Sequence, residues 1–405
     1  MNRRKIINDP IYGFITIDDD LVFDILNHPY FQRLRRVKQM ALASYIFPGA
    51  THSRFQHSLG AYHLMTLALE ELKSKGIEIN KEEKKAAQIG ILLHDIGHGP
   101  FSHSLENILF PNISHELVSE AVIQELNHQF KGQLDLTIKI FSNQYPRTFF
   151  HQLLSSQMDV DRMDYLNRDS YFSGVAEGKI GYDRILKMIL VHNNQLIFEE
   201  KALYSLEKFL IARRLMYLQV YLHKTVWVTE KLLVQFVKRI KYLIAQDSTF
   251  STQNKNLDFF LKNKNLQLDN TTLQKFLKLD DDDIMMAIKV VQDSPDKVLS
   301  IIAQSILNRQ LFKIKTVKTE KEEIEFYNQK KQELKSKFSF SDEDINFLVF
   351  TERVHGNTYD IDGKKILVLN KENELIDISS VENALINSTL FQPVEKKYIA
   401  YYFPN

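Results

Sequence analysis

The sequence feature that most limits the fold is the stretch from Leu92 to His103, which reads LLHDIGHGPFSH. A run of Lys and Glu followed by apolar residues comes before it, which predicts a helix that ends inside a core. Two glycines and Pro100 follow the doublet His94-Asp95 and end that helix. An imidazole and a carboxylate side by side at a buried helix end are costly unless a cation lies between them. Because a divalent metal is the simplest such cation, the stretch predicts a metal centre.

Composition narrows the class of protein. With 405 residues, 44% of them hydrophobic and 25% charged, the chain can bury a large core as an ordinary globular protein. A net charge of +1 gives no general attraction to nucleic acid or to a membrane surface. The lack of cysteine excludes disulfides, thiolate zinc sites and cysteine nucleophiles, and it fits the cytoplasmic location that we expect. No long apolar run follows the basic N-terminus, so we expect neither a signal peptide nor a membrane span.

Hydrophobic periodicity predicts a mostly α fold. Residues 11–18 are β-like and predict a short N-terminal hairpin, whereas residues 31–40 predict a helix with a basic face in solvent. Apolar positions then recur at spacings of three and four up to about residue 311, including long helices over 149–168 and 203–244. The acidic run at 280–283 indicates a helix N-terminus rather than a metal site.

The period of the pattern changes near the C-terminus. A charged helix over 315–337 is followed by β-like segments at 347–350, 358–361, 365–369, 375–378 and 397–403, with a hairpin turn at 362–363. We therefore predict three parts, which are an N-terminal hairpin with helices at 1–50, a helical core at 51–311 and a small α+β appendage at 312–405.

Histidines and aspartates are concentrated in two places. Five of the 13 histidines lie in polar contexts between residues 57 and 115, namely His57, His94, His98, His103 and His115. A mixed nitrogen and oxygen site needs further ligands besides His94 and Asp95. His57 can come from an earlier helix, and the segment 156–169 offers four aspartates. On a helix there, Asp161, Asp164 and Tyr165 share one face, while Asp159 points away and suits a cap or a supporting role.

The ordered set of motifs resembles a known family. RFQHSLG at 54–60, HDIGHGPFSH at 94–103, His115-Glu116, DVDRMDYLNRD at 159–169 and YLHK at 221–224 follow the order H…HD…D. This order resembles the HD-domain metal-dependent phosphohydrolases, and in detail their deoxynucleoside triphosphate triphosphohydrolase branch. KIINDPIYGFI at 5–15 and HPYFQRLRRVKQ at 28–39 are also similar to that branch. The resemblance implies a mostly α, HD-domain helical core and hydrolysis of a deoxynucleoside triphosphate to a deoxynucleoside and inorganic triphosphate.

The same resemblance implies a role for individual residues. Each subunit would bind one divalent metal through His57, His94, Asp95 and Asp161. The candidates for this metal are iron, manganese, zinc, nickel and magnesium. Catalytic roles fall to His98, His103, Glu106 and His115, with His103 as the general acid and Glu106 orienting it. Phosphate contacts fall to Arg54, Arg162, Tyr165 and Arg213. Sugar contacts fall to Gln39 and Asp169 at the 3′-hydroxyl and to Tyr221 beneath C2′.

The resemblance further implies an activating nucleotide bound at subunit contacts of a homo-oligomer, either a dimer or a tetramer. The matching positions are Lys5, Asn8, Gln32, Arg35, Arg184 and Lys201. Asn27 stands where a guanine-reading aspartate is found in the branch, and an amide loses the charge-assisted bond to guanine. The sequence therefore does not favour a guanine-specific activator.

Two other functions remain open from the sequence. Another HD phosphohydrolase, acting on a nucleoside monophosphate, a cyclic nucleotide or an alarmone, would use the same metal without needing Asp169, Arg213 and Tyr221 together. A non-catalytic nucleotide sensor or a nucleic-acid-binding module would not need the complete ligand set. The nearly neutral charge also argues against extended contact with nucleic acid.

Overall fold

The computed structural model describes residues 3–356, 358–360, 363–381 and 392–404. It is mostly helical, with a hairpin at the N-terminus and small sheets towards the C-terminus, which confirms the predicted fold class. The helices are α1 Asp20–Asn27, α2 Pro29–Gln32, α3 Arg54–Ser74, α4 Lys81–Leu93, α5 Glu106–Leu109, α6 His115–Gln129, α7 Asp135–Phe141, α8 Phe149–Leu154, α9 Val160–Ser173, α10 Tyr182–Lys187, α11 Leu203–Met216, α12 Lys224–Gln246, α13 Lys255–Lys262, α14 Asn270–Phe276, α15 Asp281–Val290, α16 Lys297–Leu307, α17 Glu320–Lys337 and α18 Asp342–Leu348. The strands are β1 Lys5–Asp9, β2 Gly13–Ile17, β3 Ile189–His192, β4 Gln195–Glu199, β5 Lys313–Thr316, β6 Val349–Gly356, β7 Leu367–Leu369, β8 Leu375–Asp377 and β9 Val394–Tyr401.

The centre of the fold is α3, which packs along α4 and α9. Each of these helices begins at a polar cap. Gln56 Oε1 accepts from the backbone nitrogen of Ser53 at 2.8 Å before α3, Asn80 caps α4, and Asp159 caps α9 by accepting from the backbone nitrogen of Arg162 at 2.7 Å. These caps fix where each helix starts, and they therefore fix which side chains of its first turn face the neighbouring helices.

The N-terminal hairpin lies earlier in the chain than predicted. Its strands β1 and β2 pair Lys5 with Ile17 and Asp9 with Gly13, so residues 11–18 supply the turn and the second strand only. One carboxylate oxygen of Asp9 accepts from the backbone nitrogens of Ile11 and Tyr12, and Gly13 takes a left-handed φ of 75°. The prediction began at residue 11 and therefore missed β1, whose turn follows at Asp9 and Pro10.

Two predicted long helices are wrong because each is interrupted. The segment 149–168 divides into α8 and α9, and the residues between them lead into the Asp159 cap. The segment 203–244 divides at a wider π turn over Tyr217–Tyr221, after which His223 caps α12 by accepting from the backbone nitrogen of Thr225. Apolar residues at helical spacing precede both interruptions, so the hydrophobic pattern predicted a continuous helix in each segment.

The predicted helix over 31–40 is also wrong. α2 ends at Gln32, a 3₁₀ turn over Arg33–Arg36 follows, and Lys38 pairs with Ser53 in an isolated bridge. Arg33 does not face solvent, since its buried guanidinium donates to the backbone oxygens of Leu279, Ile96 and His98, each at 2.8 Å. The basic face therefore contributes one of its arginines to the interior.

The C-terminal part shares a sheet with the middle of the chain. Strands β5, β9 and β6 form an antiparallel sheet, and a second sheet has the order β3-β4-β7-β8 with β4 and β7 parallel. The sequence prediction contained neither β3 nor β4. Pairing of Phe198 with Val368 joins the two parts, and the division into three domains stays a prediction.

Several predicted C-terminal elements shift. The segment 347–350 is divided between the end of α18 and the start of β6, and the last strand is Val394–Tyr401 instead of 397–403. Residues 358–360 are not a strand, and residues 361 and 362, which complete that prediction and begin the predicted turn, lie outside the described residues. No helix in the part of the chain that the structure describes is long and apolar enough to cross a membrane.

Candidate metal centre and active site

Four side chains from three helices converge on one point. His57 lies in the first turn of α3, His94 and Asp95 directly follow α4, and Asp161 lies in the first turn of α9. The Nε2 atom of His57 lies 3.0 Å from Asp161 Oδ1 and 3.2 Å from His94 Nε2. His94 Nε2 is 3.4 Å from Asp161 Oδ1 and 3.3 Å from Asp95 Oδ1. His57, His94 and Asp161 therefore face one another, and Asp95 adjoins them, with its Oδ2 atom 3.6 Å from His57 Nε2.

These separations fit a divalent cation. Ligands about 2.1 Å from such an ion lie roughly 3.0 to 3.4 Å apart in octahedral or tetrahedral arrangements. The Nδ1 atom of His94 donates to the carbonyl of Ile91 at 2.6 Å, and His57 Nδ1 lies 2.7 Å from Asp164 Oδ2. With both Nδ1 atoms protonated, the two Nε2 lone pairs point towards each other, which is unfavourable without a cation between them. The set of two imidazoles and two carboxylates suits several divalent metals.

The electrostatics of the centre also favour positive charge. Burial alone would lower the pKa of His57, but hydrogen bonds to Asp161 and Asp164 outweigh burial and raise that pKa to about 10. The pKa of His94 is raised as well, because the neighbouring carboxylates of Asp95 and Asp161 outweigh its burial. Without a metal the cluster therefore takes up protons, and a metal must displace them.

A buried ion pair supports His57 from behind. Arg168 donates to both oxygens of Asp164, from Nε at 2.9 Å and from Nη2 at 3.0 Å, and its Nη1 reaches Asp9 at 2.8 Å. A Cβ on Gly60 would lie 1.9 Å from Asp164 Oδ1, so only glycine leaves room for this pair beside α3. The sequence placed Asp164 on the same face as Asp161 but did not assign it to His57, and it did not identify Arg168.

Three further imidazoles lie beside the metal centre. The rings of His98 and His115 stack at 3.9 Å, and His103 lies edge-on to both at 4.8 and 5.0 Å. Glu106 bonds to two of them, since its oxygens lie 2.9 Å from His115 Nδ1 and 3.3 Å from His103 Nδ1. Burial would raise the pKa of Glu106, but these histidine contacts outweigh it and lower the pKa. The sequence predicted only the contact with His103.

The loop that carries these histidines is held in a strained conformation. Phe101 and Ser102 have left-handed φ angles of 51° and 48°. Asp281, at the start of α15, accepts from the backbone nitrogen of Phe101 at 2.7 Å and from that of Lys38 at 2.9 Å. Burial raises the pKa of Asp281 to about 6. The predicted helix N-terminus at 280–283 is confirmed, and it also fixes two loops of the site.

A cavity of about 400 Å³ adjoins the metal centre. The predicted site residues that line it are Gln39, Arg54, Asp95, His98, His103, His115, Asp161, Tyr165, Asp169 and Tyr221. Arg54 donates to Asp95 Oδ2 and, from Nε, to Ser102 Oγ at 2.7 Å, so it joins a metal ligand to the histidine loop. A cavity of this size suits a small-molecule ligand of nucleotide size.

Two predicted phosphate contacts, Arg162 and Arg213, are not among the residues that line the cavity. Arg162 pairs with Asp159, and Arg213 lies over the ring of Tyr217 at 5.9 Å. Both arginines act electrostatically on Tyr165, which lines the cavity. Arg162 Nε, and Nε and Nη1 of Arg213, are buried and make no hydrogen bond to any described residue.

Asp169 is fixed by two partners at another wall of the cavity. The hydroxyl of Tyr221 donates to Asp169 Oδ2 at 2.7 Å, and His52 Nε2 lies 2.7 Å from Asp169 Oδ1. The ring of His52 stacks on Phe172 at 4.6 Å. The sequence analysis did not identify His52, although it lies in the polar segment directly before α3.

The residues predicted to bind an activating nucleotide lie in two groups. On the N-terminal elements, Lys5 Nζ is 5.7 Å from the ring of Phe23, and Arg35 donates to Gln32 at 2.8 Å. Arg184 donates to the backbone oxygen of Lys201 at 3.3 Å. Asn8 lies on β1, and Asn27 is the last residue of α1. Their role at a subunit contact stays a prediction.

Comparisons with known proteins agree with this geometry. Residues 54–169 match the HD domain family, and residues 180–258 match the HD associated region. An uncharacterized Bacillus subtilis protein, YwfO, is 31% identical over 77% of this chain and 72% of its own length. The deoxynucleoside triphosphate triphosphohydrolase SAMHD1 homologue of Dictyostelium discoideum is 30% identical, over 76% of this chain and 59% of its own length.

A solved structure is similar over nearly the whole chain. The crystal structure of a phosphohydrolase from Bacteroides thetaiotaomicron has a TM-score of 0.93 and 42% sequence identity, covering 99% of this chain and 100% of that one. The HD domain match includes the four side chains of the metal centre. The chain therefore belongs to the HD-domain phosphohydrolases.

Proposed function

We propose that this protein hydrolyses deoxynucleoside triphosphates to a deoxynucleoside and inorganic triphosphate. The observation that carries the proposal is one cavity that adjoins both the four-residue metal centre and the hydrogen-bonded pair of Asp169 and Tyr221. The metal centre suits attack on a phosphate, and the Asp169 pair suits recognition of a sugar hydroxyl. A substrate that reaches both must carry phosphates and a sugar.

The charges around the cavity suit a triphosphate. Arg54 and Tyr165 line it, and Arg162 and Arg213, which have buried donors without a partner among the described residues, act electrostatically on Tyr165. A buried guanidinium with unsatisfied donors is costly, so an anionic ligand would recover the lost hydrogen bonds. A cyclic nucleotide or a monophosphate carries less negative charge and fewer phosphate oxygens than a triphosphate, so it matches three guanidinium groups less well. The distribution of arginines therefore supports a triphosphate over these alternatives.

His103 is suited to protonate the leaving 5′ oxygen. Glu106 accepts from its Nδ1 atom, which leaves Nε2 to transfer the proton. The side chain of His103 is 69% exposed, so it can be reprotonated from solvent after each turnover. When bound, a divalent cation at His57, His94, Asp95 and Asp161 supplies an activated water and withdraws charge from the phosphorus. In this proposal His98 and His115, which also line the cavity, contact phosphate oxygens.

The sugar end supports selection of a deoxyribose. The Asp169 carboxylate is held by Tyr221 and His52, which orients it to accept from a 3′-hydroxyl. Gln39 has a buried Oε1 that makes no hydrogen bond to a described residue, so it can also bind that hydroxyl. The ring of Tyr221 beneath C2′ would collide with a 2′-hydroxyl, which disfavours ribonucleotides.

The test is an analysis of products from protein loaded with Mn²⁺. The four deoxynucleoside triphosphates are supplied singly and mixed, in H₂¹⁸O, with ribonucleoside triphosphates and deoxynucleoside monophosphates as controls. We expect a deoxynucleoside and an inorganic triphosphate that carries the ¹⁸O, because water attacks the α-phosphorus. Formation of a monophosphate with pyrophosphate, or stepwise release of phosphate, would contradict the proposal.

The second nucleotide site and the homo-oligomer are part of the same proposal. Arg35 stacks over Phe55 of α3, with its guanidinium carbon 3.6 Å from the ring centroid, and therefore connects the surface group to the helix that carries His57. If an activator binds there, a mixture of deoxynucleotides is hydrolysed when single ones are not, and Arg35→Ala removes that difference. Unchanged assembly and nucleotide response in Arg35→Ala would rule out this activating site.

A further inference from the structure

One part of the cavity has no role in binding phosphates or the sugar. Its apolar lining is formed by Met40, Ala41, Ala43, Val220 and Val226. Glu230 lies one turn after Val226 on α12 and also lines the cavity. Apolar walls suit the faces of a planar ring, and a single carboxyl among them suits its polar edge.

The surroundings of Glu230 leave its carboxyl available to a ligand. Lys231, the next residue along α12, pairs with Glu352 on β6, and Trp227 Nε1 also donates to Glu352 at 3.0 Å. Ser104, which follows His103, also lines the cavity and lowers the pKa of Glu230. Burial, opposed by Lys231, raises the pKa of Glu230 to about 7. The carboxyl is therefore mostly ionised at pH 8, and its neighbouring cation is committed elsewhere.

We infer that Glu230 reads the base of the nucleotide and favours guanine. This inference rests on the proposed function, because phosphates at the metal centre and a sugar at Asp169 leave the apolar part of the cavity for the base. An ionised carboxylate only accepts hydrogen bonds. Guanine presents N1–H and N2–H side by side, so it can donate to both oxygens at once. Adenine and cytosine place an acceptor beside their amino group, and thymine places its one N–H between two carbonyls.

A purely structural role for Glu230 has a different consequence. If Glu230 served only to hold Ser104 and the turn of His103, its loss would lower the turnover of every nucleotide by the same factor. If it reads the base, its loss changes the ranking of nucleotides. Deoxyinosine triphosphate further distinguishes the structural role from base recognition. Its base keeps N1–H but lacks the N2 amino group, so it can donate only one of the two hydrogen bonds.

The experiment measures affinity and hydrolysis with the Mn²⁺-loaded protein at pH 8. Affinities are measured for analogues of the guanine, hypoxanthine, adenine and thymine deoxynucleotides in which a methylene group replaces the 5′ oxygen, so that the bond to the α-phosphorus cannot be hydrolysed, and kcat/KM is measured for the natural nucleotides. We expect guanine to be preferred over thymine by about 10- to 100-fold, with hypoxanthine between them. In Glu230→Gln the preference should fall to within about threefold, because the amide provides one acceptor instead of two.

Glu352→Gln is the matched control, since it makes the same chemical change on the neighbouring carboxylate, which does not line the main cavity. It should keep the guanine preference. An unmodified protein without guanine preference, or a Glu230→Gln variant with an unchanged ranking, overturns the inference. Base-ranked binding without release of triphosphate refutes the proposed reaction but supports the role of Glu230. Failure to bind any deoxynucleotide overturns both.

Discussion

Replacing Gly60 by alanine tests the packing of the Asp164–Arg168 ion pair behind His57. Two physical effects predict changes of opposite sign in the free energy of unfolding. In the interior of a helix, glycine to alanine usually stabilises by about 1 kcal/mol. Here the new Cβ would lie 1.9 Å from Asp164 Oδ1 and 2.3 Å from Arg168 Nη2. Both partners are fully buried, so neither can swing into solvent.

The size of the loss follows from what must move. The Asp164 oxygen is about 1.5 Å short of ordinary contact with the new methyl group, so it must leave His57 or Arg168. Breaking a buried ion pair on one side costs about 3 to 5 kcal/mol. Offset by the gain in helix propensity, we expect Gly60→Ala to lower the free energy of unfolding by about 2 to 4 kcal/mol.

Urea denaturation followed by circular dichroism measures this change, and Gly90→Ala is the matched control. A Cβ on Gly90 of α4 would meet only the end of the Leu154 side chain, at 2.9 Å, and that methyl group can rotate away. Its free energy of unfolding should stay within about 1 kcal/mol of the parent value. If Gly60→Ala is as stable as the parent or more stable, the tightly packed pair of Asp164 and Arg168 does not exist as described.

Three further outcomes are expected. Asp164→Asn should weaken Mn²⁺ binding by about 10- to 100-fold in calorimetric titration, because His57 loses the carboxylate that orients it, and an unchanged affinity would refute that role. The raised pKa of His57, about 10 against about 6.5 when unfolded, stabilises the metal-free protein fully below pH 6.5, and this stability is lost as the pH rises towards 10. The urea midpoint of the metal-free protein should therefore fall over that range while the stabilisation by added Mn²⁺ grows, and two flat profiles would contradict the protonation of His57. His103→Gln should lower kcat by about 10²- to 10⁴-fold with Mn²⁺ affinity unchanged, whereas a parallel loss of metal would show that His103 serves the metal centre instead.

Local signals in the sequence were sufficient to predict much of the site. The doublet His94-Asp95 after an apolar run, and the spacing of Asp161 from Tyr165, predicted positions of which the fold brings Asp95, Asp161 and Tyr165 to one cavity. Helix geometry fixes which side chains share a face, and that part of the prediction depends only on neighbours three or four residues away. The mostly α fold was predictable for the same reason.

Contacts between distant segments were not predictable in this way. Arg33 looked like part of a solvated basic face, yet it donates to carbonyls of segments about 60 and 250 residues away. His52 contacts Asp169 across 117 positions of the chain, and Arg168 donates to Asp9 across 159 positions. The strands β3 and β4 pair with each other as a hairpin, but β4 also pairs with β7, which lies far along the chain. Such features depend on tertiary packing, which periodicity does not contain.

The most direct measurement is anomalous diffraction at the manganese edge from crystals of this protein soaked in MnCl₂. We expect one strong peak per chain, about 2.0 to 2.3 Å from His57 Nε2, His94 Nε2 and the nearest oxygens of Asp95 and Asp161. A map without a peak between these four side chains, or with manganese held only by His98, His103 and His115, would contradict the metal centre on which the proposed hydrolysis depends.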